Sequence, residues 1–189
     1  RPVVKASTPA VSRLIEQNLS YEKNFELSIK EETTDIQWLD EATFEIEHNG
    51  GGIISARLSI SGSAAYPDGV TKYVVLDAAT GRKLTANDVF SELSGLLKLV
   101  LKKQEAEVKE ASDEIKDEDP EVVEYFDGRR IDLEGLDHFS VSADGVAFHY
   151  DYAFPHVIQA YEPEGKFEFT WAEIKGHIKP SGLLGRFVR

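Results

Sequence analysis

The chain has 189 residues, 41% of them apolar and 29% charged, enough to bury roughly 70% of its unfolded surface in one packed unit without a metal or disulfide staple. Asp and Glu number 34 against 21 Lys and Arg, a formal charge of −13 that repels phosphate backbones and anionic membrane surfaces and so excludes nucleic acid as a natural partner. Cysteine is absent, which removes disulfides, thiolate nucleophiles and Cys-based zinc sites, and no apolar stretch approaches the roughly 20 residues that cross a bilayer.

In chain order, Ser7 or Thr8 caps a predicted helix beginning at Pro9, with Val11, Leu14, Ile15 and Leu19 at helical spacing. Phe25, Leu27 and Ile29 then alternate with polar neighbours, the period of two that predicts a strand. A second strand runs through Phe44 and Ile46 to His48, and a third carries Ile54, Ala56, Leu58 and Ile60, with glycines 50–52 forming the hairpin between them. Val70 to Asp77 is a further β-branched run, ended by a turn in which Gly81 takes positive φ.

From about Ser91 the period changes. Leu93, Leu97, Val100, Val108, Ala111 and Ile115 fall on one helical stripe with Gln104 in its gap, while Lys103 with Glu107 and Glu105 with Lys109 are spaced for ion pairs on the wet side. Asp117 to Pro120 ends this long helix. Asp137–Ser142 and Val146–Tyr152 flank Ala143-Asp144-Gly145 as a hairpin, Phe167, Phe169 and Trp171 alternate in a last strand, and Ala172–Ile178 is a short helix stopped by Pro180. The expected fold class is therefore α+β, antiparallel sheets with one long amphipathic helix packed on a sheet and short helices at both ends. It forms a single unit over 1–189, with a β-rich lobe over 1–76 and a helix-plus-sheet lobe over 77–189.

Little of the sequence points to reaction chemistry. Five histidines, at 48, 138, 149, 156 and 177, show no paired metal spacing. Asp151 shares a strand face with His149, but no serine nucleophile completes a triad. The acidic run 117–121 lacks the glycine of a calcium loop, where Val122 stands, and glycines 50–52 lack the lysine and helix of a phosphate loop. Asn18-Leu19-Ser20 is a glycosylation sequon, a pattern that short chains carry by chance. No cofactor is implied. Carboxylates clustered in a cleft would be the one route to catalysis, as a hydrolase acting on envelope glycans.

The segment Tyr150 to Gly165 is more distinctive, because aromatics and prolines crowd a connection between two strands, a composition favoured at binding surfaces. Tyr150, Tyr152 and Phe154 suit either a core or a contact role. The candidate ligand-binding residues are Tyr152, Pro155, His156, Tyr161 and Pro163.

Two stretches carry a family resemblance. The passage Asp77-Ala-Ala-Thr-Gly81-Arg-Lys-Leu84 to Asp88-Val-Phe90 precedes the long helix, and Phe139-Ser-Val-Ser-Ala-Asp-Gly145-Val-Ala-Phe148 leads to Tyr152, Gly165 and Trp171. Together they resemble a bacterial extracytoplasmic domain family of unknown function, found at the C-terminus of the lysozyme-sensing anti-sigma factor and ahead of a peptidoglycan deacetylase domain. Residues 22–76 resemble the partner domain that precedes it. The resemblance implies an envelope-facing module that binds or positions a cell-wall glycan or an envelope protein, including a basic one, and is not an enzyme. The deacetylase's metal motifs are missing from this sequence. Residue 1 is not Met, and a removed signal peptide is the expected explanation, giving a periplasmic or secreted location with or without a membrane anchor.

Overall fold

A computed structural model describes residues 6–28, 30, 38–63 and 67–189. Helix α1 (Pro9–Asn18) starts as its sequence dictates: Thr8 is extended, its hydroxyl accepts from the Val11 N–H at 3.2 Å, and Pro9 occupies the first turn. The strand expected from Phe25 is not formed. Instead Ser20 caps a short helix α2 (Tyr21–Phe25), within which Tyr21 and Phe25 stack at 6.1 Å, and Glu26 turns the chain in the left-handed region. The local cap and the i,i+4 aromatic pair outweigh a two-residue alternation whose third member, Ile29, lies outside the described residues.

Strands β1 (Leu39–Gly50), β2 (Ile53–Ser63) and β3 (Pro67–Asp77) form an antiparallel sheet in sequential order. Gly51 and Gly52 both have positive φ, as the tight turn between β1 and β2 requires, and the Phe187 ring closes over Gly51. One face of β2 and β3, Ala56, Leu58, Ile60, Val74 and Leu76, packs against Ile15, Leu19 and Tyr21 of the helical layer. Asn18, whose sequon the sequence displays, is buried there, its amide donating to Gly81 O at 2.7 Å.

After the short helix α3 (Ala86–Val89) comes α4 (Leu93–Ile115), the long amphipathic helix. A second antiparallel sheet consists of β4 (Phe139–Val141), β5 (Gly145–His149) and β6 (Lys166–Thr170). Phe139, Val141, Val146, Phe148, Phe167 and Phe169 line its inner face and enclose the main core with Leu96 and Val100 of α4. Gln104 fills its gap in the stripe for a reason: its Oε1 accepts from the Ile131 N–H at 3.0 Å and its amide donates to Arg129 O, so a buried polar side chain pins an irregular segment to the helix. Short helix α5 (Pro120–Val123) follows α4, and α6 (Trp171–Ile174) begins at Trp171 itself, one residue before the expected start.

Ile53 and Val75 of the first sheet belong to the main core, and Val141 N donates to the buried Ser55 hydroxyl at 3.0 Å, so the two sheets are joined by packing and by a hydrogen bond. The C-terminal tail adds a further tie. Leu184 is buried, and Phe187 stacks on Trp171 at 4.8 Å while meeting His48 edge-on at 5.5 Å, so the tail docks on its own chain.

Candidate functional site

The strands β5 and β6 are joined by residues 150–165, the aromatic and proline-rich connection. Its base is closed by Tyr150 N donating to Gly165 O at 2.8 Å, and Gly165 adopts a φ of +64°, which favours glycine. Beyond it, Ala153 turns the chain at φ +51° with its N–H donating to the Asp151 carboxylate at 2.7 Å. That carboxylate therefore caps a turn rather than orienting His149. A 3-10 turn over His156–Tyr161 forms the tip, braced by Ile158 N to Pro155 O at 2.9 Å and Glu162 N to Gln159 O at 3.0 Å.

Five candidate residues divide into root and tip. Tyr152 is 0% exposed, so its expected contact role is corrected: it is core. It packs with Ile115, Val122, Phe126 and Phe154 in a small satellite cluster at the end of α4, to which half-buried Tyr150, Ile158 and Tyr161 are added. The Arg129 guanidinium lies 5.5 Å over the Phe154 ring and donates to Tyr152 O. Pro155 and His156 stand in solvent, whereas Tyr161 and Pro163 are half-buried at the return. Val157, between them, is 84% exposed and was not singled out by sequence reasoning, because a valine beside aromatics reads as core.

The root is electrostatically unusual. Glu107 of α4 accepts from the Tyr152 hydroxyl at 2.8 Å and from Gly165 N at 3.0 Å. Burial raises its carboxyl pKa, and burial likewise pushes the Tyr152 phenol well above its ordinary range. The expected Lys103–Glu107 and Glu105–Lys109 pairs give way to other partners. Lys103 lies 4.2 Å over the Phe169 ring and 3.7 Å from Glu173, and Lys109 pairs with Asp113 at 2.7 Å.

A second polar constellation lies where the two sheets meet. Glu47 lies on the same face of β1 as Glu41, Thr43 and Glu45, at a register shift between Ile46 and His48, and its carboxylate accepts from the Ser55 hydroxyl at 3.3 Å. Across from it, Ser140 Oγ and His149 Nε2 are 3.0 Å apart, and the His149 ring stacks on Tyr73 with centroids 3.4 Å apart. Glu47, Ser140, Ser142, Asp144, Lys166 and Glu168 line an open cleft of about 250 Å³ there. Burial raises the Glu47 pKa and drives His149 down to about 3, so its imidazole is neutral and a weak proton acceptor at neutral pH. Ser140 and His149 are nine residues apart on paired strands, and Glu47 belongs to the other sheet, so no linear motif announces the group. Among the described residues no three or more His, Asp or Glu side chains come together as a metal site, and no helix is long and apolar enough to cross a membrane.

No family model matches the sequence, and no curated protein matches it. The architecture is nonetheless found in solved structures: it is the α+β fold of proteins assigned to DUF3298, a domain family of unknown function. One, from Bacteroides fragilis, is 16% identical with a TM-score of 0.54, over 77% of this chain and 56% of the other. Another, from Pseudomonas aeruginosa, is 17% identical with a TM-score of 0.50, over 74% and 61%. This chain thus spans under two thirds of the length of either, and at these identities the likeness is one of fold.

Proposed function

We propose that this chain is a non-catalytic, extracytoplasmic binding or sensing module whose contact surface is the tip of the 150–165 connection, presenting Pro155, His156 and Val157 with Tyr161 and Pro163 behind them. The observation that carries this reading is the contrast within one loop: Val157 is 84% exposed at a tip whose root residue, Tyr152, is fully buried. A large apolar side chain held in water on a braced turn loses little conformational freedom on binding, which favours recognition. Binding residues commonly occupy loops positioned by a rigid scaffold in this way.

The ligand class is a cell-envelope component, either a cell-wall glycan or an envelope protein. The charge of −13 supports a basic protein within that class, with association steered at low salt.

The test is titration of the intact chain, and of a Pro155→Ala, His156→Ala, Tyr161→Ala variant with an unchanged unfolding midpoint, against a basic lysozyme and against purified peptidoglycan fragments. Binding by the intact chain that drops at least tenfold in the variant supports the reading. Equal affinity for both proteins, or no binding of either probe, overturns it.

A further inference from the structure

Strand β1 is the outer strand of its sheet, hydrogen-bonded to β2 along one edge, and among the described residues no strand pairs with its other edge. It is also long, spanning Leu39–Gly50, and residues 40–46 are exposed throughout. Phe44 and Ile46 lie opposite Leu58 and Ala56, on the face that α1 and α2 cover over β2 and β3, yet they remain 44% and 41% exposed. Glu41, Thr43 and Glu45 point to the opposite face, across from Ser61, Ser59 and Arg57. The strand holds four carboxylates, Asp40, Glu41, Glu45 and Glu47, and no Lys or Arg, while Arg57 of β2 meets Glu45 at 2.5 Å.

We infer that the outer edge of β1 is a second docking surface, taking by strand addition an extended segment of a basic partner in which Lys or Arg alternates with apolar residues. Three features select this occupant together. An open antiparallel edge offers main-chain hydrogen bonds to an extended chain. Its alternation of carboxylates on one face with Phe44 and Ile46 on the other matches a strand with cations on one face and apolar groups on the other. A second copy of this chain is disfavoured, because edge-to-edge pairing of two β1 strands would set carboxylate against carboxylate. The inference rests on the reading of the chain as a binding module, but on a surface separate from the 155–163 tip.

The experiment titrates the full chain with a labelled ten-residue peptide in which Lys alternates with Val and Thr, and follows amide hydrogen exchange in parallel. The expected result is saturable binding at low salt, slowed exchange confined to 39–50, and at least tenfold weaker binding after Glu41→Lys with Glu45→Gln, two exposed sites whose change gives up the solvated Glu45–Arg57 pair without setting two cations opposite each other and should leave the chain folded. Glu41→Gln with Glu45→Gln, a milder change, should give an intermediate loss. A peptide of the same composition with its lysines in one block should bind at least tenfold more weakly. Equal binding of that blocked peptide, protection outside 39–50, or loss of peptide binding in the 155/156/161 alanine variant would overturn the assignment to β1. Failure of the peptide leaves the tip's own titration unaffected, so the two readings fail separately.

Discussion

The Tyr152 hydroxyl donates to one oxygen of Glu107 at 2.8 Å while the other oxygen accepts from Gly165 N at 3.0 Å, so one carboxylate on the long helix holds both ends of the aromatic connection. Removing the hydroxyl by Tyr152→Phe leaves the ring in place and strips Glu107 of one partner, a change expected to cost about 1–2 kcal/mol. Urea unfolding should show that loss, with faster amide exchange over 153–164 in the folded state. Unchanged exchange there would detach the tip's order from this link.

The same carboxylate has a pH signature. Burial raises the Glu107 pKa above its unfolded value of 4.5, so its protonated form is favoured in the folded state. Its contribution is then fully present below pH 4.5 and is lost as pH rises through the raised folded value. Glu107→Gln should flatten that part of the stability profile, measured as unfolding midpoint against pH.

His149 gives the opposite sign. With its folded pKa near 3 against an ordinary 6.5, its contribution to stability is complete above pH 6.5 and is lost as pH falls toward 3. His149→Phe keeps a ring to stack on Tyr73 and should weaken acid destabilisation in that window, at the expense of the Ser140 hydrogen bond. An acid limb identical to that of the unaltered chain would show that His149 does not contribute to it.

Ser55 is fully buried between the sheets, and Ser55→Ala leaves the Val141 N–H without its acceptor. The expected cost is about 1–3 kcal/mol in the unfolding free energy. A Ser55→Ala chain as stable as the parent would remove this bond as a tie between the sheets.

Gly165→Ala should cost about 3 kcal/mol, since alanine is strained at positive φ and its β-carbon would collide with Tyr150 O. By contrast Val157→Asp, at an exposed tip, should shift stability by no more than about 0.5 kcal/mol. A large loss for Val157→Asp would mean the valine is structural.

Local pattern was legible where neighbouring residues alone decide the outcome. The cap at Thr8 and Pro9, the hairpin glycines at 51 and 52, the positive φ at Gly81, the stripe of α4 and the alternation of Phe167 and Phe169 all follow from steric rules and from amphipathic spacing. These determined an α+β chain with antiparallel sheets and one long helix before any tertiary contact was known. The alternation at 25–29 misled because Ser20 and Tyr21 offered α2 a cap and a stacked partner at equal range.

What only the tertiary structure decided depends on which side chains meet across long sequence separations. Lys103 and Glu107 satisfy an i,i+4 rule, yet Tyr152 and Gly165 claim Glu107, since a half-buried carboxylate gains more from two fixed donors than from a solvated ammonium. Glu47, Ser55, Ser140 and His149 come from four strands and meet only where the two sheets pack together. The division of residues 152–163 into buried root and exposed tip is equally tertiary, since Phe126 and Ile115 must arrive before Tyr152 has a core to enter. A linear sequence carries propensity and period; burial and charge pairing are properties of the packed chain.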